Sequence, residues 1–200
     1  MRKSFLITLL ALAFATADAQ AQSLGDLWNS LFGSSSQDSA PVQVVIPTES
    51  DILGHWLYKS FDMEYSGSDM LASVAVAAAK SQLGSVAAKY GIVAGDSRNY
   101  VEIDRKRLTI VKDKQKAEFK YTYIPSTGQM IITAEHDKQK YTLTAWVTQR
   151  DGGVAVMFNA VELVAIASTT KQYQESQVLQ TLGEMVKSYP EIRVGAIFTK

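Results

Sequence analysis

The 200-residue chain is 46% hydrophobic and 20% charged, with 20 basic and 20 acidic residues and no cysteine. That composition supports one globular domain with a sizeable core. A formal charge of zero leaves no basic excess to draw the chain to nucleic acid or an anionic membrane, and without thiols there are no disulfides, thiolate metal sites or lipidated cysteine.

The N-terminus carries the most specific signal. Met1-Arg2-Lys3 is a short cationic start, Phe5 to Phe14 is apolar apart from Thr8, and Ala17-Asp18-Ala19 and Ala19-Gln20-Ala21 both show the small-x-small pattern of a signal-peptidase site. Residues 1–21 therefore read as a signal peptide, with the mature chain starting at Gln20 or Gln22. The apolar run is too short for a helix spanning a bilayer of roughly 30 Å. The expectation is an exported protein (periplasmic, outer-membrane-associated or secreted) with no transmembrane span after cleavage.

In residues 22–33, Leu24, Leu27, Trp28, Leu31 and Phe32 share one helical face, with Ser23 and Asp26 as a capping pair and Gly33 as a stop. An isolated helix of about ten residues is marginal in water, so this face either docks on its own domain or contacts a protein or membrane partner. It has no lysine or arginine to draw it to anionic lipid. Residues 34–50, polar with two prolines, read as a linker to a domain over 51–200.

The domain opens with an extended segment, Leu53 to Tyr65, whose alternation slips near Ser60, as a bulge would make it. An alanine-rich helix is expected from about Asp69 to Tyr90, ended by Gly91. From Asn99 the apolar period becomes two: Val101/Ile103, Leu108/Ile110, Phe119/Tyr121/Tyr123, Met130/Ile132/Ala134, Tyr141/Leu143/Ala145/Val147 and Val154/Val156/Phe158 each mark one face of a strand. Pro125–Gly128 and Arg150–Gly153 have hairpin-turn composition. Two helices follow, about Val161–Ala167 and Thr170–Tyr189, then a final strand carrying Ile192, Val194, Ala196 and Phe198. The fold class is mainly β with helical insertions: about eight antiparallel strands closed into a barrel, since closure removes exposed edges. The last strand is expected along Leu53–Ser60 of the first.

Residues suited to chemistry are sparse. Arg105-Lys106-Arg107 and the lysines from Lys112 to Lys120 are interleaved with Glu102, Asp104, Asp113 and Glu118, the mixture of a solvated surface and not a nucleic-acid footprint. His55 alternates away from Trp56. His136 sits between Glu135 and Asp137, but adjacent strand residues point to opposite faces, so no metal site is expected. No nucleophile elbow, phosphate loop or metalloprotease motif occurs, and no cofactor is expected.

Gly54-His55-Trp56 on the first strand resembles the Gly-x-Trp signature of the lipocalin and calycin group. The longer order resembles a lipocalin-like family of unknown function from secreted Bacteroidetes proteins. It runs from an exported Leu-rich segment and linker through Gly-x-Trp-x-Tyr, an alanine-rich helix, a meander and two helices. A last strand carrying Arg193, Gly195 and Phe198 completes it. The resemblance implies that Gly54 admits the chain near the barrel floor, that Trp56 packs across that floor, and that Arg193 stacks on Trp56. The helical insertions and missing disulfide depart from ordinary lipocalins, so only the barrel carries over, not a ligand.

The aromatic ladder Phe119-Tyr121-Tyr123, with Tyr58, Met130 and Tyr141, is either core or the lining of a cavity, tyrosine suiting a small hydrophobic or amphipathic ligand. Three functions fit: a non-catalytic binding protein for such a ligand; a structural or interaction protein of the cell envelope whose barrel is filled by side chains; and, with no motif in support, an enzyme using the cavity. A cavity of roughly 300 Å³ or more would favour the first.

Overall fold

Alternation between apolar and polar residues folds the chain into eight antiparallel strands among the described residues, closed into a barrel in sequence order. They are β1 (Gly54–Tyr65), β2 (Asn99–Ile103), β3 (Arg107–Lys112), β4 (Gln115–Ile124), β5 (Gln129–His136), β6 (Gln139–Arg150), β7 (Gly153–Asn159) and β8 (Ile192–Thr199). The computed structural model describes residues 44–200 except 71, 75, 78–79, 81–90, 137–138, 151, 170–173 and 175–176. The expected signal peptide and amphipathic segment lie outside the described residues, as does most of the second half of the helix expected over 69–90. Among the described residues no helix is long and apolar enough to cross a membrane.

The seam is staggered. Trp56 pairs with Val101 of β2, whereas β8 pairs with Leu57 to Tyr65, and Leu57 alone has a strand partner on both sides. The expectation that the last strand runs along Leu53–Ser60 is therefore corrected: it lies along the second half of β1. Strands of a barrel tilt, and the tilt displaces register around the circumference until the ends meet out of step. The shift expected near Ser60 falls between Tyr58 and Ser60, returning Phe61 to the inward face.

Because β1 outruns β2, its free edge beyond Leu57 is covered by the insertion that joins them. Gly95 N–H donates to the Tyr58 carbonyl at 2.9 Å. Residues 70, 72–74, 76–77 and 80 are helical, and Ala72 and Val76 of that stretch are buried. An ion pair fastens it: Asp62, fully buried, lies 2.5 Å from the Lys80 ammonium and 3.4 Å from Arg150, which also pairs with Glu64. A buried carboxylate needs such partners to offset lost hydration.

The floor is closed by a short helix, α1 (Glu49–Ile52), stabilised by its own N-terminus: Thr48 donates to Asp51 Oδ2 from its backbone N–H at 2.8 Å and its hydroxyl at 2.7 Å. These bonds hold the Asp51 carboxyl below its usual range, the hydroxyl bond being the largest cause. Ile52 is fully buried, and its carbonyl accepts the Trp56 indole N–H at 2.8 Å. Gly54 adopts φ +126°, a conformation that side chains rarely tolerate. The glycine of the signature thus turns the chain out of α1 into the strand that places Trp56.

At the other end stand α2 (Ala160–Ala167) and α3 (Gln177–Ser188). Asn159 caps α2, its side chain accepting from the Val161 and Glu162 amides at 2.8 and 3.3 Å. Glu162 in turn accepts the Thr144 amide at 2.6 Å where β7 has ended. So α2 is clipped to the rim and lays Leu163 and Val164 onto the core.

Candidate functional site

Between floor and helices the barrel encloses a cavity of about 150 Å³. Its wall takes residues from every strand and is almost wholly apolar: Tyr58, Phe61, Leu108, Phe119, Leu143, Val156, Phe158 and Phe198 among them, with Leu163 of α2 at one end. Inward alternation supplies these side chains, and closure places them on one void. The volume is about half that expected of a ligand-holding barrel, and an apolar cavity of this size has room for a benzene-sized guest.

The wall differs from that of a plain barrel where the insertion covers the edge of β1. Ile92, from the insertion, packs with Tyr58 and Ala196, against Phe61 and Phe198. The Tyr58 ring lies 5.1 Å from that of Phe61 and 6.5 Å, edge-on, from that of Phe198. Burial pushes the Tyr58 hydroxyl up to about 12, a hydrogen bond with the Phe61 backbone opposing it. Asn99, Tyr100 and Lys112 complete the polar part of the lining. Burial holds the Lys112 ammonium below its ordinary range, against the opposing charge of Asp113.

Of the six residues expected to line a ligand site, the structure brings Tyr58 and Phe119 together on the cavity. Tyr121, Tyr123, Met130 and Tyr141 are not in its wall. Tyr121 donates to the Asp104 carbonyl at 2.6 Å and Tyr123 to the Pro47 carbonyl at 2.7 Å, and Met130 is fully buried. Burial raises both tyrosine hydroxyls, as the largest cause in each. Tyr141 packs against the main core. All four share the inward parity of the wall residues, but the hydroxyls of Tyr121 and Tyr123 are held by backbone carbonyls and Met130 and Tyr141 pack into the core. Ile92 of the insertion carries no strand pattern that would reveal it, whereas Asn99 and Phe61 stand in strand series with inward parity and were not singled out as site residues.

Arg193 requires a second correction. Its guanidinium carbon lies 3.9 Å from the centre of the Trp146 ring, on the outer face, and it pairs across the seam with Glu64, not with the floor. Inward positions of β8 are Ile192, Val194, Ala196 and Phe198, so the alternation that buries those turns Arg193 outward. Burial lowers its pKa, with Glu64 opposing. Gly54 and Trp56 do stand at the floor, and Lys200 occupies the place over Trp56.

A second depression, about 470 Å³, lies under the floor between Asp51, Arg150, Gly152 and Lys200. It is the larger, but its wall mixes Asp51, Arg150 and Lys200 with Trp56, Val154 and two glycines, and no ring of strands surrounds it. Among the described residues no group of three histidine, aspartate or glutamate side chains converges on a point that would hold a metal. His55 is exposed, its ring 4.3 Å from that of Tyr100.

A family model described as a lipocalin-like domain (DUF4923) matches residues 31–200. No curated protein and no solved structure matches the chain.

Proposed function

Since the chain belongs to this lipocalin-like domain family, we propose that its barrel binds a compact, mainly apolar molecule without transforming it. The observation that carries the reading is the apolar cavity enclosed by all eight strands. Burial there transfers apolar surface out of water at about 25 cal/mol per Å². The wall supplies shape and desolvation, and its polar groups do not form an acid–base pair or an activated nucleophile of the kind covalent catalysis uses. At about 150 Å³, below the roughly 300 Å³ expected of a ligand-holding barrel, the void suits a guest the size of a single aromatic ring.

The test is a toluene titration followed by protein NMR, on the wild type and on Ala196→Leu, which adds bulk to the wall. Saturable shifts confined to cavity residues, lost in the variant, support the reading. A wild type without saturable shifts for either toluene or phenol overturns it.

We propose further that the protein is exported, on the strength of the cationic start, apolar run and paired small residues of positions 1–21. N-terminal sequencing of mature protein from the native host should find Gln20 or Gln22; a retained Met1 would contradict it.

A further inference from the structure

Asn99 is 5% exposed and stands on the inward side of β2, two residues before Val101. It lines the cavity. Its side-chain orientation is fixed by two acceptors: Nδ2 donates to the Gly91 carbonyl at 2.9 Å and lies 3.4 Å from Asp96 Oδ2. The oxygen cannot exchange places with the nitrogen without setting acceptor against acceptor at both contacts. Oδ1 is thus the free end of the amide, and it has no donor among the described residues.

A buried acceptor left unpaired bears the full penalty of its lost hydration, and this one belongs to a residue of an otherwise apolar wall. We propose that the guest of this cavity carries one hydrogen-bond donor, a hydroxyl or N–H on a compact apolar body, and that the donor is received by Asn99 Oδ1. This rests on the reading of the cavity as a ligand site and adds the polarity of the ligand to it. The residue is supplied where the insertion enters β2, so orientation is set by the same segment that covers the open edge of β1. Lys112, paired with Asn99 across β2 and β3, is the competing polar group; it would favour an anion.

The probes are phenol, toluene and benzoate, near-equal in size and differing in the group they present. They are titrated into the full chain and followed by NMR, including the Asn99 side-chain amide resonance. By hydrophobicity alone toluene should bind best. With Oδ1 as acceptor, phenol binds about fivefold or more tightly than toluene and moves the Asn99 amide signal, which toluene leaves in place. Asn99→Leu reverses the order. Should that variant fail to fold, the comparison on the wild type decides alone. Toluene equal to or better than phenol on the wild type overturns the donor while leaving the cavity as a binding site. Tighter binding of benzoate than of phenol overturns it in favour of Lys112. Binding by none of the three overturns both readings.

Discussion

The Lys200 ammonium lies 4.7 Å from the centre of the Trp56 ring, closing the barrel floor from outside while α1 closes it from the side. Trp56 is 4% exposed and meets Ile52 through its indole N–H, so it plugs an end instead of facing the ligand. Trp56→Ala should destabilise by about 3–5 kcal/mol in denaturant melts, as large aromatic deletions from cores do. Lys200→Met should cost a small fraction of that, because a surface cation over a ring adds little. A Trp56→Ala loss below about 1 kcal/mol would remove the plug.

Arg193 is stacked on Trp146 and charge-matched to Glu64. Arg193→Ala should cost about 1–2 kcal/mol, the scale of a partly desolvated cation–π contact with its packing. A double-mutant cycle with Trp146→Leu should show coupling of about 0.5–1 kcal/mol. The same cycle run with Trp56 should show none.

Tyr58 sets an alkaline limit. Its hydroxyl titrates near 12 in the fold against 10.0 when free. Between those values the unfolded chain has lost a proton that the folded chain keeps, so stability falls as pH rises. The full contribution is present below pH 10, and after solvent screening of the part-exposed hydroxyl about 1–2 kcal/mol is lost by pH 12. Tyr121 and Tyr123, also raised by burial, deepen the loss in the same direction. Urea melts across this range should show a shallower decline for Tyr58→Phe; an identical decline would place the titration elsewhere.

At Gly195 a methyl group would come within 1.9 Å of the Val156 carbonyl oxygen. The obstacle is backbone, which cannot swing aside, and the position faces buried Asp62 across the seam. Gly195→Ala should therefore cost more than about 2 kcal/mol. Thermal melts within a degree or two of wild type would show that β7 and β8 can part to admit it.

Alternation made the strands legible, from Val101/Ile103 through Phe198, together with the slip at Ser60, because a period of two says which side chains face inward. It does not say how high each sits. Phe119 and Tyr121 are neighbours on one inward face, yet one lines the cavity and the other spends its hydroxyl on the Asp104 carbonyl. That level depends on tilt and stagger, quantities set by closure across the whole sheet. The stagger likewise put β8 beside Phe61 instead of Leu53, and outward parity took Arg193 from Trp56 to Trp146. Asn99 was read only as the start of a strand; its role arises from Gly91 and Asp96, brought near by a loop without periodic pattern.

The seam has a consequence for the order of assembly. Every hairpin from β2 to β7 joins strands adjacent in the chain, so each can form locally and early. The β1–β8 ladder instead joins residue 57 to residue 199, a contact whose loop-closure entropy is paid before it is rewarded. No ribosome-bound chain can close it until residue 199 is free. Until then Leu57 to Tyr65 offer one side to any strand within reach, and the half-made barrel is most exposed to pairing with a neighbour of its own kind. How long that edge stays bare, as well as the stability of the finished barrel, then bears on how much of the protein closes on itself.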